Sequence, residues 1–169
     1  MADNITGNPA GYIPPIHSIE GSLDGTNQRI GIICAKFNER ITKSLLMGAI
    51  SGLTAHGVNE DNVTTHWVPG AFEIPIVADT IFPTYDAVIA IACVIKGDTP
   101  HFDYVCDAIT QGMTLANANH KKPGIFCVLT THTKDQADAR SKPNCTRNKG
   151  YEAALTALEM ITLLKTIEA

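Results

Sequence analysis

Charged and aromatic side chains are both scarce in this 169-residue chain: Asp, Glu, Lys and Arg make up 18% of it, and Phe, Trp and Tyr 6%. Lys and Arg number 13 against 17 Asp and Glu, a net charge of −4, and no basic cluster is interleaved with aromatics. The footprint of a protein that tracks a phosphate backbone is therefore missing, and nucleic acid is not an expected partner. No apolar run approaches the ~18 residues that a membrane helix needs, so no membrane partner is expected either. The first Lys or Arg is Arg29, so the start is expected to lack the basic lead of a signal peptide and the arginines of a transit peptide. The five cysteines, Cys34, Cys93, Cys106, Cys127 and Cys145, form no CxxC pair and no other metal-ligand spacing. Three of them sit in apolar runs, where a thiol acts as a small core hydrophobe, and a reducing, cytoplasmic compartment fits. P-loop, GxGxxG, GxSxG and HExxH signatures are absent, which excludes the common nucleotide, zinc and serine-hydrolase chemistries.

What is present is enough apolar material, 44% of the chain, for one ordinary core. Residues 1–17 are rich in Gly, Pro and Asn without periodicity and are expected to form a flexible arm. Residues 18–169 then read as a single α/β domain. The runs at 29–37, 63–69, 87–95 and 124–131 are short and β-rich, and most are too uniformly apolar for a sheet wet on one face. Helical spacing joins Ile41, Leu45, Ala49 and Leu53, then Phe102, Val105, Ile109, Met113 and Ala116, and later Ala154, Leu158, Ile161 and Leu164. A shorter helix is expected from near Glu73 to before Pro83, another in "THTKDQADAR", and an extra edge strand at Ser18–Leu23. Strand–helix alternation of this kind implies a parallel sheet with helices on both faces.

In such sheets ligands bind at the carboxyl ends of the strands. That rule selects "KFNER", "VPGAFEIP", "KGDTPHFDY" and "TTHTKDQ". In the third, Asp98 or Thr99 can cap a helix that starts with Pro100 at its first position, placing His101 in the first turn. Free N–H groups and the helix dipole there attract an anion such as phosphate, and a histidine can move a proton near pH 7. The plain alternative is a solvated polar residue at a helix start. Asp98 would partly repel phosphate, so a cation from elsewhere must help. Arg140, Lys142, Arg147 and Lys149 are all candidates, and spacing alone does not choose among them. Glu73 could accept hydrogen bonds from a polyhydroxy ligand or merely complement a helix dipole. Phe37 could stack on a flat heterocycle or belong to the core. Phe126, in the middle of a strand, is core by pattern.

Taken in order, "KFNERIT", "WVPGAFEIP", "CVIKGDTPHFDYV", "GIFCVLTT" and "RNKGYEAALTALEM" closely resemble lumazine synthase, over about Ile19 to Met160. The resemblance implies a flavodoxin-like three-layer α/β/α sandwich with a central, mostly parallel four-stranded sheet. It also implies assembly at least into pentamers, with active sites between neighbouring subunits and riboflavin synthase as a further candidate partner. The implied reaction joins 5-amino-6-ribitylaminouracil to 3,4-dihydroxy-2-butanone 4-phosphate without cofactor or metal. By motif, Phe37 would stack on the pyrimidine, Glu73 would hold the ribityl chain and His101 would shuttle protons. Arg140 and Lys149, with the backbone around Asp98 and Thr99, would bind phosphate, and Phe126 would close the pocket from the adjacent subunit. Ala71, Phe72, Val94, Ile95 and Lys96 fall in the implied substrate-binding set, and Glu152 matches an acidic position near Lys149.

The chain departs from the family pattern at three places. Lys36 replaces a more usual arginine. Phe37 stands where some fungal members carry a riboflavin-binding tryptophan, so tight flavin binding is not expected. The stretch between Arg140 and Asn148 is one residue longer than the common form, and it lacks the glycine found in the turn of shell-forming members. The competing reading is a non-catalytic flavin-binding or shell-forming protein on the same scaffold, which would lack the histidine or the phosphate cations. A response-regulator-like domain would need an acidic cluster where this chain has "AKFNE".

Overall fold

Four apolar runs become strands and pair in one direction, in the order β2-β1-β3-β4. They are β1 (Ile30–Ala35), β2 (Val63–Val68), β3 (Ala87–Ile95) and β4 (Gly124–Thr131). The computed structural model describes residues 17–169, so the arm expected over residues 1–17 lies outside the described residues except for His17. Every residue of β1 is buried, and so are the first seven of β3. That is what the uniformly apolar runs required, since helices cover both faces of these two central strands. The edge strand β2 is wetter, and Trp67 on it is partly exposed.

Helices α1 (Glu39–Ala55), α2 (Ile74–Ile81), α3 (His101–His120), α4 (Lys134–Arg140) and α5 (Lys149–Glu168) complete a three-layer α/β/α sandwich of flavodoxin-like form. Side chains alternate across the sheet and so divide the core in two. Ile30, Ile32 and Cys34 of β1 pack with Leu45, Ala49 and Leu53 of α1 and Ala154, Leu158 and Ile161 of α5. Ile33 and Ala35 pack instead with Ile74 and Ala78 of α2 and Ile109 and Met113 of α3. The helical stripes read from the sequence are these buried faces, except that Leu164 is only half-buried and Phe102 and Val105 line a cavity.

Helices α1 and α5 meet backbone to backbone. A Cβ on Gly150 would lie 1.8 Å from the carbonyl oxygen of Leu45, so only glycine permits this approach. Beside it, buried Asn148 caps α5 by accepting the Gly150 N–H at 2.8 Å, and its amide donates to the carbonyls of Ser44 and Lys142.

Two local expectations fail. Residues Ser18–Leu23 form no strand; the Ser22 N–H donates to Thr162 Oγ1 of α5 at 2.7 Å, so helix contacts replace a sheet ladder. Pro100 is the N-cap of α3 and not its first helical residue, and neither Asp98 nor Thr99 caps the helix with its side chain.

Candidate active site

The chain leaves β1 at a tightly specified turn. Lys36 and Phe37 donate their N–H groups to the carbonyls of Val68 and Pro69, at 2.8 and 3.1 Å, prolonging the β1–β2 pairing past the strand end. Asn38 then takes the left-handed conformation, φ 57° and ψ 43°, and its carbonyl receives the first amides of α1. Phe37 is left standing off the surface, 72% exposed, so it is not a core aromatic.

After β2, a single 3₁₀ turn over Ala71–Glu73 leads into α2. The Glu73 carboxylate accepts the Gly70 N–H at 2.9 Å, which fixes the acid at the turn rather than along the helix. The two readings of Glu73 are thus compatible, because one oxygen serves the backbone while the residue lines a cavity. After β3, the segment Lys96–Pro100 delivers His101 as the first residue of α3. No side chain caps that helix, so its leading amides face outward without a protein side-chain acceptor.

These three exits surround a cavity of about 600 Å³, the size of a small-molecule site. Of the residues named from sequence, Phe37, Ala71, Phe72, Glu73, Val94, Ile95, Thr99 and His101 line it. A flat ring face, an anchored carboxylate, an imidazole and an uncapped helix start therefore converge on one space.

Lys96, Asp98, Phe126, Arg140, Lys149 and Glu152 do not line it within this subunit. The Lys96 ammonium lies 5.9 Å from the centroid of the Phe102 ring. Phe126 is 44% exposed and so is not core, although Val128, on the same face of the edge strand β4, is buried. Arg140 ends α4 and donates to the Gln136 carbonyl at 2.9 Å. Lys149 and Glu152 pair at 2.5 Å in the first turn of α5. These cations belong to the layer that α1 and α5 form, away from the α2–α3 side where the cavity opens.

Sequence reasoning missed Ala35, Gly70, Cys93, Gly97, Phe102 and Val105 of the lining. Phe102 and Val105 carry a signal in retrospect: they begin a helical stripe at the point where the sheet has ended, so their apolar faces meet a cavity instead of a strand. Cys93 lies in the cavity wall, but burial, with a smaller effect from Asp138, pushes its thiol up to about 11. It is a neutral wall atom near pH 7 and not a nucleophile. Among the described residues, no group of three or more His, Cys, Asp or Glu side chains is placed to hold a metal ion.

A comparison with known protein families covers most of the chain. Residues 27–165 match the family model for 6,7-dimethyl-8-ribityllumazine synthase. That span runs from just before β1 to the last turn of α5 and takes in every element described above, so the chain belongs to the 6,7-dimethyl-8-ribityllumazine synthase family.

Proposed function

We propose that the cavity of Phe37, Glu73 and His101 binds 5-amino-6-ribitylaminouracil and condenses it with 3,4-dihydroxy-2-butanone 4-phosphate. The products are 6,7-dimethyl-8-ribityllumazine, phosphate and water. The convergence of those three side chains on one space of about 600 Å³ is the observation that carries the reading. The exposed Phe37 ring offers its face to the pyrimidine, and the Glu73 carboxylate, held by Gly70, accepts hydroxyl hydrogens of the ribityl chain.

The chemistry asks little beyond position and proton transfer. The aromatic amine adds to the ketone, and loss of water gives an imine. Phosphate is then eliminated, and the ribitylamino nitrogen closes the ring with loss of a second water. His101 takes and returns the protons of these steps, and the uncapped amides at the start of α3, near Asp98 and Thr99, receive the phosphate.

Arg140, Lys149 and Phe126 do not line this cavity, and a homo-oligomer accounts for that. In this reading a neighbouring copy brings Phe126 over the ring and Arg140 and Lys149 to the phosphate, with Glu152 orienting Lys149. Residues 18–169 act as one domain in each copy. Five free cysteines suit a reducing, cytoplasmic setting, and riboflavin synthase, as consumer of the product, is the proposed partner. Incubation with both substrates tests the reading: lumazine absorbance should rise with released phosphate. A protein that binds flavin and releases neither product would count for the non-catalytic scaffold instead.

A further inference from the structure

Asn38 is the N-cap of α1, yet its side chain makes no hydrogen bond to that helix. Its Nδ2 donates instead to the carbonyl oxygen of Cys93, 55 residues away, at 2.8 Å. The reason lies in the sheet. The β1–β3 ladder ends at Cys34 and Ile91, whereas β3 continues to Ile95. The Cys93 carbonyl therefore has no strand partner on the β1 side, and the Asn38 amide takes that place.

This bond joins two walls of the cavity. Phe37 precedes Asn38 directly, and Cys93 with Val94 and Ile95 forms the wall that leads to His101. Phe37 is too exposed for packing to hold its ring, so its position follows from its backbone. That backbone is fixed on one side by Pro69 and on the other by the left-handed Asn38. Asparagine suits both demands, because it tolerates positive φ and carries an amide donor.

We infer that Asn38 is a positioning residue, which holds the Phe37 backbone, and with it the ring, to the β3 wall of the cavity. The inference rests on the proposed pyrimidine site. It concerns a side chain that supplies no chemistry itself, and whose removal should loosen ring binding before it slows any bond-making step.

Steady-state kinetics on the full chain test it with Asn38→Gly, Asn38→Asp, Phe37→Ala and the double variant Asn38→Gly/Phe37→Ala. Glycine keeps the left-handed backbone and loses the tether; aspartate keeps the shape but cannot donate to a carbonyl. For either Asn38 variant, the KM for the pyrimidine should rise about tenfold, with kcat and the KM for the butanone phosphate within about twofold. Added to Phe37→Ala, Asn38→Gly should change the pyrimidine KM little further, since the tether acts through that ring. Three results would overturn the role: an unchanged KM, a full additive loss on top of Phe37→Ala, or a fall in kcat and melting temperature with KM intact. A wild-type protein that forms no lumazine would overturn the assigned reaction instead, so the two failures are told apart within one experiment.

Discussion

Glu73 and Gly70 are bound to each other across one 3₁₀ turn, carboxylate oxygen to backbone N–H, at 2.9 Å. A Cβ on Gly70 would stand 3.2 Å from that same oxygen, so a side chain there would press on the carboxylate. The acid is thus held in place before any ligand arrives, and pre-organised acceptors bind with less loss of side-chain freedom.

Glu73→Gln keeps an oxygen acceptor for Gly70 but removes the charge. The pyrimidine's KM should rise about tenfold while thermal stability stays close to wild type. Glu73→Ala should add a stability loss of about 1 kcal/mol from the lost cap. Kinetics and thermal melts on the pair separate the two roles, and an unaltered KM in both variants would remove Glu73 from the site.

His101→Ala should slow kcat by about 10- to 1,000-fold without abolishing it, because positioning supplies much of the rate. His101 is exposed at the start of α3, so folding should be little affected. Single-turnover measurements with saturating substrates check this. Full activity in the variant would leave the proton transfers to solvent.

Gly150→Ala forces a methyl against the Leu45 carbonyl where the available gap is 1.8 Å. Backbone must move, and the expected cost is about 3 kcal/mol by urea unfolding. A midpoint equal to that of the wild type would mean that α1 and α5 sit farther apart than described.

Burial pushes the thiols of Cys34 and Cys93 up to about 11 and that of Cys127 to about 12, from an ordinary 9.0. The folded chain therefore retains protons that the unfolded chain has released. This contribution to stability is fully present below pH 9.0 and is lost as pH rises through 11 to 12. Urea midpoints should hold steady up to about pH 8.5 and then fall, more steeply than in a Cys34→Ala variant. In parallel, a thiol reagent at about pH 8 should label the half-buried Cys106 and Cys145 long before the other three. Rapid labelling of all five in the folded protein would contradict the buried placement.

Between Arg140 and Gly150 the chain has no glycine, carries Pro143, and turns through Asn144 at φ 51°. A longer, stiffer turn should change the angle at which one ring of subunits could dock on another. Light scattering near neutral pH is expected to give about five times 18.1 kDa, a free pentamer. A megadalton particle would sink this expectation.

The sheet was legible because its signals are local. Ile41, Leu45, Ala49 and Leu53 announce a helix by spacing alone, and the unbroken apolar run at 87–95 can only be a strand covered on both faces. Three of the cavity's side chains, Phe37, Glu73 and His101, were also in reach, since the rule that strand ends carry the site selects their segments, although each kept a plain alternative until the cavity was seen. What escaped depends on distance along the chain. The Asn38–Cys93 bond joins residues 55 apart, and nothing near either one foretells it. Ser18–Leu23 has the composition of a strand, but the hydroxyl of Thr162 claims its backbone first. Phe126 reads as core because its neighbours are apolar; only the strand order makes β4 an edge.

The contact between Ser22 and Thr162 has a kinetic side as well. Its partners lie 140 residues apart in sequence, so it can close only after α5 has docked on the layer beneath it. It ties the lead-in segment to the final helix, with Gln28 and Lys165 joined at 2.7 Å as a second fastening, while the Gly25 N–H donates to the His56 carbonyl beyond the end of α1 at 2.9 Å. The Ser22 amide should therefore trade its hydrogen with solvent at the pace at which α5 lifts away, while the amides of β1, a few residues on, wait for the whole sheet to open.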